Sequence, residues 1–171
     1  MTKPPSIVSS AHLVSAQAPA LSELEFGLTV LNNSFHRWVV RCMGAAGEKG
    51  LTALEVLLIH HINHRDRPKR LADICFVLNI EDTHVATYAL KKLVTLGYAA
   101  RTKVGKEVHF STTPTGAALC HQYSEIREQC LIQVIVESGL AGANASAAEI
   151  AQQLRLFASL YDQASRAAAS L

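Results

Sequence analysis

The sequence predicts a mainly α fold with a small β wing: a winged helix-turn-helix set between long N- and C-terminal helices. Three observations carry this expectation. Between Thr52 and Gly116 the order is helix, helix, helix, then two short β-prone segments hinged at Gly105. Before that unit, Leu24, Leu28, Leu31, Phe35, Trp38 and Cys42 recur at steps of three and four. After it, Ile150, Leu154, Phe157, Tyr161 and Ala164 form a second helical stripe.

Taken in chain order, the first helix is expected to open at Ser22, with Glu25 at capping-box spacing, and to fade at Gly44 and Gly47. Thr52 and Glu55 repeat the box, and Leu51 with Val56 has the spacing of a hydrophobic staple. That second helix carries Leu54, Leu57, Leu58 and Ile62 and stops before Pro68; a short third holds Leu71, Ile74, Cys75 and Leu78. Asp82 is the expected cap of a fourth helix ending at Leu96, with Gly97 at C′. Its Ala86, Ala89, Leu90 and Leu93 should face inward, and His84, Thr87, Tyr88 and Lys91 outward. The wing spans Tyr98 to Thr112 about a Val104-Gly105-Lys106 turn, and Thr113 with Pro114 starts a fifth helix. Its later part, "CLIQVIVESGL", is apolar all round and so expected to be buried. Ser146 and Glu149 make a third capping box before the last helix.

Composition bounds the rest. With 171 residues, 49% apolar and 18% charged, the chain can bury a sizeable core. It has no apolar run long enough for a membrane span. Residues 1–20, rich in Pro, Ser and Ala, predict a flexible arm without a secretory h-region. Cys42, Cys75, Cys120 and Cys130 lack C-x-x-C spacing and are read as reduced core residues of a cytoplasmic protein. The net charge of +2 is uneven: from Arg65 to Lys106 nine basic residues face four acids, so that segment carries +5 and the remainder −3. A basic centre suits a face that meets phosphates.

The third helix of such a unit is shaped for the DNA major groove. His84, Thr87 and Tyr88 are therefore the base-reading candidates, since hydroxyl and imidazole groups both donate and accept. Lys91, Lys92, Arg101, Lys103 and Lys106 are the phosphate candidates. Arg65, Arg67, Lys69 and Arg70 lie in the preceding turn, where they touch the backbone or keep a loop solvated. His60 and His64 share a helix face, but no Glu follows His60 in an H-E-x-x-H pattern, so no metal is assigned. Neither a Gly-rich phosphate loop nor a G-x-S-x-G motif occurs, and neither an enzyme nor a cofactor is expected.

At this level the chain resembles the MarR family of transcription regulators. The residues that carry the resemblance are "LTALEVLLI", "LADICFVLNI", "HVATYALKKLVTLGYAAR" and a wing closing in "TPTG", over residues 22–171. The resemblance implies a homodimeric, sequence-specific binder of double-stranded DNA, a repressor released by a small ligand or by oxidation. A small aromatic acid held between helices is then a further partner, and Cys42 the helix cysteine to weigh for redox sensing. Family wings carry an Asp-x-Arg pair near the tip; this wing reads "TKVGKEVHF", leaving Lys103 and Lys106 for that contact.

The expected organisation is an arm at 1–20, a dimerisation helix at 21–50, the winged unit at 51–116 and C-terminal dimerisation helices at 117–171. The alternative is a winged-helix protein-interaction module with weak or no DNA binding, favoured by Glu81, Asp82 and the missing wing Arg.

Overall fold

The computed structural model describes residues 11–138 and 142–171. Half of the expected arm, residues 1–10, lies outside the described residues. Among the described residues are seven α-helices and a small sheet: α1 Pro19–Ala45, α2 Ala53–Asn63, β1 Lys69–Arg70, α3 Leu71–Val77, α4 Thr83–Thr95, β2 Ala99–Val104, β3 Glu107–Thr112, α5 Pro114–Arg127, α6 Gln133–Glu137 and α7 Ala143–Ala168. The sheet is antiparallel in the order β1-β3-β2. Two compact units divide the chain, one ending at Ile126 and the other covering Arg127–Leu171.

The first unit has one core. Met43 of α1, Leu58, Ile59 and Ile62 of α2, Ile74 of α3, and Leu90 and Leu93 of α4 are all fully enclosed. Phe110 of β3 and Leu119, Cys120 and Tyr123 of α5 close it. The Thr52–Glu55 capping box forms as expected: Glu55 N donates to Thr52 Oγ1, and Thr52 N donates to Glu55 Oε2 at 2.7 Å. Leu51 and Val56, at staple spacing, are both buried in the same cluster.

Three helix starts carry capping-box spacing in the sequence, and two of them differ. α1 begins at Pro19 rather than Ser22; no side chain caps it, and Ser22 lies inside its first turn, buried. Proline at the first position supplies the start, because its fixed φ suits a helix and its missing N–H would have been unbonded there. α7 begins at Ala143, ahead of the Ser146–Glu149 pair, again without a side-chain cap. The helix-forming alanines around Ser146 extend it backwards past the cap signal.

The apolar stripe of α1 buries only at its C-terminal end. Val39, Cys42 and Met43 are enclosed, whereas Leu31 and Phe35 are 54% and 45% exposed in the single chain. Past the end of α5 the chain passes through a π turn at Glu128–Ile132 into α6. The expectation that "CLIQVIVESGL" is buried does not hold for the single chain, where Val134 and Val136 are exposed. Neither α6 nor α7 has a buried residue among those described. Cys42, Cys75 and Cys120 are buried as expected, but Cys130 is exposed because the π turn buries none of its side chains.

At the wing base, Thr113 N donates to Tyr98 O at 3.1 Å and the Thr113 hydroxyl donates to Gly97 O at 2.6 Å. The same hydroxyl oxygen accepts from Gly116 N at 3.1 Å, capping α5 at N3. Gly97, with φ 78°, ends α4 in the left-handed region that glycine adopts without strain. Gly116 answers a different need: a Cβ there would overlap the Tyr98 carbonyl and lie 2.8 Å from Thr112 Cγ2. Gly116→Ala should therefore destabilise the chain by about 3 kcal/mol, since backbone rather than a mobile side chain must yield. Gly27→Ala, in α1 with nothing within 4 Å of its Cβ position, should instead stabilise by roughly 0.5–1 kcal/mol. Urea midpoints of the two variants check both signs.

Candidate nucleic-acid interface

The α3-turn-α4 pair is a helix-turn-helix whose second helix has two opposed faces. Ala86, Ala89, Leu90 and Leu93 are buried at spacings of three, one and three. His84, Thr87, Tyr88 and Lys91 repeat that spacing two residues earlier, which rotates them by about 200° to the outer face. His84, Tyr88 and Lys91 are exposed there, Tyr88 to 75%. Thr87 is half-buried, and its hydroxyl donates to Thr83 O at 2.7 Å, leaving its oxygen lone pairs as acceptors. Asp82 caps α4 as expected by accepting from His84 N at 2.8 Å. That bond turns one of the two local acids onto the helix end.

The wing is a two-residue hairpin at Gly105-Lys106, with Gly105 at φ 63°. Arg101 and Lys103 lie two apart on β2 and so share a face. Arg101, Lys103 and Lys106 are exposed and, like Lys91, have no ion-pair partner among the described residues.

Lys92 differs from the other expected phosphate contacts. Its ammonium turns inward, donating to Glu55 Oε2 at 2.8 Å and to Gly50 O at 2.7 Å. The Glu55 side chain is only 5% exposed. Burial alone would raise its carboxyl, but bonds from Lys92 and Thr52 outweigh it and hold the group below its ordinary value. Nothing local announces this pair, because its members stand 37 residues apart.

The basic turn before α3 is also more structural than its sequence implies. Lys69 is buried, and its ammonium donates to Ile62 O at 3.1 Å and to His64 O, satisfying carbonyls at the end of α2. Arg70 forks onto Asp73 with two 2.8 Å bonds and reaches Glu107 at 3.1 Å. Those bonds raise the guanidinium and lower the Asp73 carboxyl. Lys69 and Arg70 form β1, a strand too short to show periodicity. Tyr98 donates its hydroxyl to Glu48 Oε2 at 2.6 Å, a contact that sequence spacing could not reveal.

His60 and His64 do not converge. His60 packs edge-on against Tyr123 with ring centroids 4.3 Å apart, and burial holds its imidazole below the usual range. His64 caps the end of α2 and is exposed. Among the described residues no group of three His, Cys, Asp or Glu side chains is placed to hold a metal ion. Cys42 lies buried in α1, with its thiol 3.5 Å from Tyr123 O. No helix among the described residues is long and apolar enough to cross a membrane.

Helix-turn-helix, a three-stranded sheet with its hairpin, and long flanking helices together define a winged helix protein. Residues 51–116 match the family model described as a winged helix DNA-binding domain. The fold is shared with solved MarR proteins. Wild-type MarR from E. coli is 20% identical with a TM-score of 0.58, over 74% of this chain and 92% of that one. A MarR transcriptional regulator from Methanosarcina mazei Go1 is 15% identical with a TM-score of 0.63, over 80% and 96%. FabT from Streptococcus pneumoniae, solved in complex with DNA, is 18% identical with a TM-score of 0.60, over 81% and 96%. No curated protein matches the chain. Residues 51–116 thus form a winged helix domain, and the chain shares its fold with the solved MarR proteins.

Lys92→Met tests the inward pair. It leaves the Glu55 carboxylate buried with fewer donors, and should cost about 2 kcal/mol at pH 7, moderated because Lys92 is 34% exposed. In the wild type the lowered carboxyl contributes stability that is present above its unfolded value of 4.5 and is lost as pH falls through the folded value. The gap in denaturation midpoint between the wild type and Lys92→Met should therefore narrow as pH falls from 4.5 through the folded value of the Glu55 carboxyl. A gap that stays constant through that protonation would contradict the pairing.

Proposed function

We propose that this chain is a sequence-specific DNA-binding transcription regulator, acting as a dimeric repressor of the MarR type. The observation that carries the reading is the outer face of α4. His84, Thr87, Tyr88 and Lys91 project from a helix whose inner face is locked into the core. A rigid helix with an uncommitted polar face is the element that reads base edges in a winged unit. Lys91, Arg101, Lys103 and Lys106 are assigned to phosphates, where charge positions the protein without reading sequence. Lys92 takes no part in this reading, because it is engaged with Glu55 and Gly50. The DNA complex of FabT, which shares the fold, supports DNA as the partner.

Dimerisation belongs to the same reading. α1, α6 and α7 leave apolar side chains exposed, among them Leu31, Phe35, Val136, Ile150 and Leu160, and exposed apolar surface on long helices suits an association face. A second copy of the chain is the economical cover. Release from DNA by a small aromatic acid completes the proposal and rests on the family resemblance alone.

Tyr88→Ala should lose about 1–3 kcal/mol on the cognate site and far less on random duplex in a fluorescence-anisotropy titration. Leu90→Ala, a core truncation, should lower the denaturation midpoint by the equivalent of about 2–5 kcal/mol and affect both DNAs together. Equal loss on both DNAs for Tyr88→Ala, with stability intact, would favour the protein-interaction module instead. Light scattering at micromolar concentration should return twice the 18.5 kDa chain mass. A monomer there would remove the dimer and with it the expectation of a palindromic site.

A further inference from the structure

A cleft of about 510 Å³ opens beside the turn that joins α2 to α3. Its basic wall comprises the guanidiniums of Arg65 and Arg67, the Lys69 ammonium and the imidazoles of His61, His64 and His109, while Pro68 and Val77 add apolar surface. The acid lining it, Asp73, is already forked onto Arg70. Lys69 is likewise committed, to the carbonyls of Ile62 and His64.

The two remaining guanidiniums, of Arg65 and Arg67, form no ion pair among the described residues. His109 holds a buried Nε2 that makes no hydrogen bond and lies 3.5 Å from Glu107 Oε2. Arg65 sits at φ 63°, an uncommon conformation for a residue with a side chain, at the rim of the cleft. The groups also repel one another. Burial, Arg67 and Arg65 pull the Lys69 ammonium below its ordinary value; burial, Lys69 and His64 do the same to His61.

We propose that this cleft binds a small phosphate-bearing anion, its oxygens held by Arg65, Arg67 and the imidazoles and a short apolar body laid on Pro68 and Val77. Two unpaired guanidiniums present more charge than one carboxylate neutralises, and their forked donors match the oxygens of a phosphate dianion. The buried His109 nitrogen and the apolar wall favour a small molecule over DNA, since a duplex phosphate brings no apolar body to lay on Pro68 and Val77. None of the cleft residues lies on α4, so the inference stands apart from the DNA-binding reading.

The test is calorimetric titration of the full chain with phenyl phosphate, inorganic phosphate and benzoate, at constant ionic strength set with chloride. Phenyl phosphate should saturate one site per chain and bind more tightly than either other probe. Arg67→Ala should weaken it at least about tenfold and Arg67→Lys less, because lysine keeps the charge but loses the fork. Tyr88→Ala should titrate as the wild type does. Arg67 is exposed, so its variants should keep the wild-type denaturation midpoint; if Arg67→Ala does not, Arg67→Lys alone decides. No saturable heat, unchanged binding in the deciding variant, or benzoate binding as tightly as phenyl phosphate would each overturn the proposal. Loss of random-duplex affinity in Arg67→Ala with phosphate binding intact would assign the rim to the DNA backbone and also overturn it.

Discussion

The Glu55 carboxylate determines where α4 stands. It closes the capping box at the start of α2 and also receives the Lys92 ammonium from α4. Lys92 extends the link to Gly50 O, in the loop before α2. An almost fully enclosed carboxylate would be costly alone; with its bonds made, it ties α2 to α4 at a fixed height. Apolar packing by Leu58, Leu90 and Leu93 supplies the attraction between these helices, but such packing is nondirectional. The ionic bond supplies the register, and the outer face of α4 inherits its aim from it.

What could be read in the sequence was what repeats locally. The two faces of α4, the Thr52–Glu55 box and the Thr113–Pro114 start each rest on residues within one or two turns, and each appears in the structure. The Glu55–Lys92, Tyr98–Glu48 and Arg70–Glu107 contacts join residues 37 to 50 apart and leave no periodic trace. The same local logic misplaced two helix starts. Ser22 and Ser146 head capping-box patterns, but a proline at position 19 and an alanine-rich stretch begin the helices earlier. A cap motif marks where a helix is able to start, and propensity upstream decides whether it does.

Charge was the least transferable signal. Nine basic residues between Arg65 and Lys106 read as a single phosphate-facing set. The structure sorts them by what surrounds each one. Lys69 satisfies helix-end carbonyls, Arg70 binds two acids and Lys92 is engaged inside. Three of the nine thus serve as fasteners rather than free surface charge, and composition alone cannot separate the two uses.

The bonding around Thr113 has a mechanical consequence. The end of β3, the residue before β2 and the first turn of α5 meet at Thr113, Tyr98 and Gly116, with a close approach that leaves no room for even one added carbon. Such a joint has little slack. A rotation of α5 cannot be absorbed there by a side chain changing rotamer, so the hairpin carrying Arg101, Lys103 and Lys106 must tilt with it. Strain applied along α5 would therefore be delivered to the wing tip as displacement rather than dissipated at its root.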